Sequence, residues 1–256
     1  MTLAKLNLIC GRNATGKTAI CEWISGLFRR EDLNRWATIQ GVGLEYSASY
    51  FLPNEYLLEA KVESENNVTL KINGAPVPTN PFKVNIIAPK RVSGRGGDDL
   101  AWLANVFKVD IAGVQAVFDE IHRFPHAKVR NVRAIEEGSK RRIHFESDRV
   151  PHSRPLSGMS GGEVEMLLIE FAVAIARLCG RYAPTLLILD GFFYSYGDVW
   201  FDRYRHHFLA PENPFQTVLV APFWSLDFKN IRWNGWQLIL TTGSPPHCKL
   251  VSLVPT

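Results

Sequence analysis

At 256 residues, 46% hydrophobic and 21% charged, the chain can bury a full core as one large domain or two closely joined lobes, and its composition is that of an ordinary folded soluble protein. Its four cysteines (Cys10, Cys21, Cys179, Cys248) form no C-x-x-C pair or cluster with histidine, which excludes a zinc knuckle or disulfide framework and fits a reducing, cytoplasmic compartment. The net charge of +4 is modest, but much of the basic excess falls in "APKRVSGRGG" and between Arg130 and Arg154, a surface for phosphate backbones or simply a solvated charged face.

In chain order, "LAKLNLIC" is an apolar, β-leaning run, "GRNATGKT" a turn, and "AICEWISGLFRR" a helix with basic residues near its end. The strand meets the glycine loop at Gly11, leaving no room for a signal peptide. From about Trp36 to Pro89 the runs "YLLEAKVES", "NNVTLKING" and "FKVNIIAP" predict an antiparallel β region, with Asn73-Gly74 as a hairpin turn. "DLAWLANVFKVDIAGVQAVFDEIHRF" carries helical spacing and predicts a small helical lobe. "KVRNVRAI" and "KRRIHFES" are returning strands, "DRVPHSRP" a polar loop, and "LSGMSGGEVEMLLIEFAVAIARLC" a glycine turn feeding a helix apolar nearly all round, hence buried. The last third alternates strand and helix through "TLLILD", "QTVLVAPF", "WQLILTT" and "CKLVSLV". The greasiest runs are cut by charges short of a bilayer span, so no transmembrane helix and no membrane partner is expected.

The loop matches G-x-x-x-x-G-K-[ST] in full and lies between strand and helix, the context the pattern requires. Glycines let the backbone curl so that its N–H groups aim at phosphate oxygens, and the following helix adds its dipole. The cradle comprises Gly11, Arg12, Asn13, Ala14, Thr15, Gly16, Lys17, Thr18 and Ala19. Lys17 would bridge the β- and γ-phosphates, and the Thr18 hydroxyl would ligate magnesium. Magnesium also needs a carboxylate at the end of a neighbouring buried strand, which Asp190 supplies; Lys17 and Asp190 are therefore the candidate catalytic pair, and Thr18 and Asp190 the candidate metal ligands.

In many such hydrolases a glutamate follows the acid and orients the attacking water; here that place belongs to Gly191. Loss of a general base costs about 10²–10⁴-fold in rate, while binding through amides and magnesium can survive. Asp198 offers a further carboxylate, or merely caps a surface turn. No histidine follows "QTVLVAPF". A second glycine turn, Ser160, Gly161, Gly162 and Glu163, opens the long helix and repeats the anion-cradle logic. One nucleotide needs one cradle, so the second is expected to grip the γ-phosphate held by another protomer, making ATP the glue of a dimer.

"GRNATGKT", "LSGMSGGEVEM" and "LLILD", in this order, resemble the ATP-binding-cassette ATPases, whose S-G-G-E signature binds nucleotide in trans. The closer likeness is to the SMC, RecF and OLD branch, given Asn13 and "VNIIAPKR", which makes Pro89 and Arg91 counterparts of a Pro-x-Arg element. Transporter cassettes carry an aromatic residue before the loop, a glutamine loop and a late histidine, none convincing here. The resemblance implies an α/β fold: a P-loop ABC-ATPase head with a mixed central sheet, an antiparallel β subdomain and a small helical lobe. It is read as one domain over 1–256, with lobes at 1–91, 92–128 and 129–256.

The expected function is an ATPase that dimerises around ATP and Mg2+, as homodimer or heterodimer, to switch a DNA-repair, DNA-maintenance or phage-defence complex with slow hydrolysis. A partner effector or nuclease subunit and DNA are the expected associates. The alternatives are a non-hydrolysing scaffold and a transporter motor. His206 and His207 are expected on a polar helix face, the aromatic run "FFYSYGDVWF" in core or lobe packing, and Ser157 and Ser160 lack a nearby base for nucleophilic work.

Overall fold

The computed structural model describes residues 3–26, 28–29, 44–51, 54–64, 67–78, 83–89, 97–147, 150–192, 204, 207–208, 210–222, 236–243 and 249–253. The elements are β1 (Leu6–Gly11), α1 (Lys17–Gly26), β2 (Leu44–Phe51), β3 (Glu55–Ser64), β4 (Asn67–Ile72), β5 (Ala75–Val77), β6 (Asn85–Ile87), α2 (Asp99–Phe107) and α3 (Ile111–Arg123). They continue as β7 (Val129–Glu137), β8 (Lys140–Ser147), β9 (Val150–Pro155), α4 (Gly161–Gly180), β10 (Thr185–Asp190), β11 (Gln216–Pro222), β12 (Trp236–Thr242) and β13 (Lys249–Leu253). They form two compact units, one running to Lys17 and resuming at Asn85, the other spanning Thr18–Val84.

The first unit is built on a six-stranded sheet of order β13-β12-β1-β11-β10-β6. All neighbours are parallel except β13, which is antiparallel to β12. Every residue of β1 is buried, which explains its near-continuous apolar text: a strand inside a parallel sheet is covered on both faces. The one polar insertion, Asn7, is satisfied: its Nδ2 donates to Ala4 O at 2.7 Å and Thr217 O at 3.0 Å. The mixed central sheet is as expected from the sequence.

α4 is buried continuously from Val164 to Ala176, because β10 and β6 cover one side while α3 and β7 cover another. Its polar positions are paired. Glu120 of α3 accepts from Arg177 Nε at 2.9 Å and Arg181 at 2.6 Å, and Arg177 lies over the Phe124 ring at 4.4 Å. These contacts bolt α3 to the carboxyl-terminal end of α4.

The helical lobe is two helices bent by 90°. Lys108 turns left-handed to close α2, and Asp110 caps α3 through Gly113 N. β7, β8 and β9 form a separate antiparallel sheet, and Asp98 and Asp99 at the start of α2 clamp its hairpin. Asp98 accepts from Arg141 Nε at 2.7 Å, and buried Asp99 accepts from Ile143 N at 3.0 Å.

The second unit contains the antiparallel sheet β2-β3-β4-β5, with Leu58, Ala60 and Leu70 as its core and Phe28 packed against it. Asn73 and Gly74 both take positive φ, +49° and +81°, the two-residue hairpin turn expected of this dipeptide.

Three expectations are corrected. "FKVNIIAP" does not join the antiparallel region: Asn85–Ile87 pair in parallel with Thr185–Leu187, since a short apolar run suits a doubly covered strand as well as a hairpin. "DRVPHSRP" is not a loop, because Val150–Pro155 is the edge strand beside β8, a place that tolerates proline's missing N–H. His207 is not on a polar face but fully buried, with Nε2 2.8 Å from Glu170 Oε1. His206 lies outside the described residues, as do Arg91, Cys248 and Asp198. Phe192 is in the core as expected; the rest of its aromatic run also lies outside the described residues. Among the described residues no single helix is long and apolar enough to cross a membrane.

Candidate functional site

Gly11 ends β1, and its lack of a side chain is a steric requirement. A Cβ there would lie 1.9 Å from Thr241 Oγ1 and 2.6 Å from Thr15 Oγ1. Beyond it the loop turns through positive φ at Ala14 (+61°) and Gly16 (+83°). Alternation of right- and left-handed residues makes successive N–H groups converge, the geometry of an anion nest. Gly16 adopts its value freely, whereas Ala14 is strained there. Thr15 is buried, with its hydroxyl donating to Arg12 O at 2.8 Å; Arg12, Asn13 and Ala14 are exposed around it.

Lys17 is 5% exposed. Its Nζ donates to Gly11 O at 2.9 Å and to Arg12 O at 2.7 Å, so the ammonium sits within the loop. Burial pulls its pKa below the usual lysine value, and the charge of Asp190 opposes that shift. Cys10, buried beneath the loop, has its thiol pushed up by burial and is inert as a nucleophile.

Asp190 ends β10. It lies in register with Val220 of β11, which is itself level with Ile9 of β1. The acid therefore emerges one strand away from β1, with β11 between them, which corrects the neighbouring strand expected from the sequence. Asp190 is half-buried and close enough to bias Lys17. Thr18 is exposed and Ala19 half-buried in the first turn of α1. Asp190 and Thr18 each offer a hard oxygen of the kind magnesium prefers, and the loop from Gly11 to Lys17 suits phosphate.

Gly191 takes φ +83°. A glutamate at this place, the residue expected there in faster hydrolases, would be strained by the backbone conformation.

The second glycine turn is the amino terminus of α4. Ser160 is its N-cap: Glu163 N donates to Ser160 Oγ at 3.3 Å, and Ser160 N donates to the Glu163 carboxylate at 2.7 Å. This reciprocal capping box gives Glu163 an intrachain role. Ser160 and Gly161 are exposed, Gly162 and Glu163 half-buried. A Cβ on Gly161 would meet nothing within 4 Å.

These features sit on a fold with known relatives. An SMC head bound to the C-winged helix domain of ScpA superposes with a TM-score of 0.66 at 16% identity, over 99% of this chain and 91% of that one. The fold is that of an SMC-type head. The SMC head domain from Thermotoga maritima matches with a TM-score of 0.60 at 14% identity, covering 100% of this chain and 93% of the other. RecF with ATP, from the RecFOR pathway, matches at 0.56 and 11% identity over 99% and 92%. The mixed sheet, the separate antiparallel sheets and the helical pair belong to this SMC-type fold. No family model matches the sequence, and neither does any curated protein.

Thr241 and Ala14 complete the site in ways the sequence did not signal. Thr241 lies more than two hundred positions from the loop it touches, and an alanine at left-handed φ has no signature.

Proposed function

We propose that the chain is an ATP-binding ABC-type head that closes on Mg-ATP with a second head, like or unlike itself, to switch a DNA-maintenance complex. A repair or phage-defence assembly is the narrower form of this reading. In it, Gly11 to Ala19 of one head hold the phosphates, with Lys17 on the β- and γ-phosphates and Thr18 and Asp190 on the metal. Ser160, Gly161 and Gly162 of the other head meet the γ-phosphate, and Glu163 holds their turn in shape. Magnesium, when bound, offsets the charge of the phosphates.

The observation that carries the proposal is Gly161. Gly11 is glycine because the chain itself leaves no room, but Gly161 is exposed, helical and surrounded by open space. The fold has no use for a missing side chain there. A helix amino terminus that must be approached closely by an anion from outside does. That one structural neighbour is RecF with ATP supports the choice of nucleotide, and that another is an SMC head on ScpA supports a protein partner. Exposed Arg130, Arg133, Lys140 and Arg154 on the β7-β8-β9 sheet support contact with a nucleic-acid backbone.

Light scattering with and without ATP and magnesium tests the closure. The native chain is expected to double in mass with nucleotide, and Gly161→Asp to remain a monomer while melting like the native chain. A native chain that stays monomeric, or a Gly161→Asp variant that dimerises equally, overturns the proposal.

The left-handed Gly191 favours a second reading, an ATP-dependent scaffold without significant hydrolysis. Phosphate release no greater than that of Lys17→Ala, alongside nucleotide-dependent dimerisation, selects the scaffold. DNA contact is checked by retention on duplex DNA at rising salt, where backbone binding weakens steeply; no retention at low salt removes it.

A further inference from the structure

Resting on the nucleotide-binding reading above, we propose that Thr241 is a positioning residue for the phosphate loop. β12 runs parallel beside β1, on the side away from Asp190, with Thr241 in register with Gly11. Thr241 is 3% exposed. Its Oγ1 lies 2.6 Å from Thr15 Oγ1 and 3.1 Å from Cys10 O; because the Thr15 proton goes to Arg12 O, the Thr241 hydroxyl is the donor to Thr15 Oγ1, with Cys10 O within reach as its alternative acceptor. The same oxygen occupies the room that any side chain on Gly11 would need. One hydroxyl thus meets the loop at three points: the backbone leading in, the first glycine, and the side chain of Thr15.

The third contact matters most. Thr15 Oγ1 also bonds to Arg12 O at 2.8 Å, which closes the turn over Asn13 and Ala14. Ala14 sits at φ +61°, a conformation that an alanine relaxes out of unless its surroundings over-determine it. The Thr241–Thr15 pair is such a constraint, since it fixes the rotamer from which Thr15 holds the turn closed. Valine at position 241 keeps the shape and burial but loses the hydroxyl and its hydrogen bond to Thr15, so Thr15 is free to turn and Ala14 to relax. The amides that would meet the phosphates then no longer converge before the ligand arrives, and part of the binding free energy goes into re-forming the loop.

This role is separable from general stability, because a positioning residue changes affinity for the ligand out of proportion to melting. The test is titration of a fluorescent ATP analogue with magnesium into the full chain, in native form and as Thr241→Val, Thr241→Ser and Thr241→Ala. Melting of each without nucleotide is measured in parallel. Thr241→Val is expected to weaken binding about tenfold, the equivalent of one lost net hydrogen bond. Thr241→Ser, which keeps the hydroxyl, should stay within about threefold of the native chain, and all variants should melt near it.

Unchanged affinity in Thr241→Val, or equal loss in Thr241→Ser, overturns the role. If Thr241→Val does not fold, Thr241→Ala removes the same hydroxyl and must show the loss while Thr241→Ser does not; any other result overturns the role. A native chain that binds no analogue overturns the nucleotide-binding reading, and the role falls with it. Native binding with an unaffected Thr241→Val removes the role alone.

Discussion

Lys17 Nζ donates to Arg12 O at 2.7 Å, so the side chain expected to reach phosphate is held by the loop that would carry the phosphate. Burial disfavours its charge, and two carbonyls offset part of that cost. Lys17→Ala should therefore abolish detectable nucleotide binding yet leave folding stability within about 1 kcal/mol, because an unfavourable buried charge disappears with its hydrogen bonds. Isothermal titration and urea unfolding of the variant check the two halves separately.

Ala14 predicts a gain. Glycine at that position relieves the left-handed strain at some entropic cost, so Ala14→Gly is expected to stabilise the chain by about 0.5–1 kcal/mol. A rightward shift of the urea midpoint with an unchanged slope would show it.

Gly191 predicts a failed rescue. Supplying the glutamate as Gly191→Glu forces a side chain onto a φ of +83°, at a cost of about 1–2 kcal/mol. The expected result is lower stability and no rise in phosphate release; a clear rise would mean that the backbone re-forms readily around a new base.

The buried pair of Glu170 and His207 is expected to be structural. Glu170 Oε1 also accepts from Lys128 N at 2.6 Å, so Glu170→Ala leaves one buried and one half-buried donor without their acceptor. A loss of about 3 kcal/mol is expected, read by chemical denaturation, and Glu170→Gln should recover much of it because its amide oxygen still accepts.

Asp98 predicts an acid response. Its carboxyl is held below its ordinary range, first by the Arg141 side chain and then by backbone N–H groups. A depressed folded pKa means that the contribution is complete above the unfolded value and is lost as pH falls through the lower, folded one. Asp98→Ala should cost about 1 kcal/mol at neutral pH, as a lost N-cap does, and the gap to the native chain should close as the solution is acidified below the unfolded carboxylate range.

What the sequence determined by itself was local. The strand, loop and helix around Gly11, the turn at Asn73-Gly74, the burial of α4 and the strand ending in Asp190 all follow from periodicity, turn chemistry and a contiguous motif, each written within a short window of residues. The tertiary structure decided what depends on partners distant in the chain. The run at Asn85 pairs with Thr185 rather than with the antiparallel strands, because alternation in a short segment does not name its neighbour. Val150–Pro155 becomes a strand because β8 offers an edge that excuses its prolines. His207 is buried because Glu170 meets it there. Thr241 reaches the loop only because β12 lies beside β1, and the strain at Ala14 exists only because that neighbour helps to hold the turn closed.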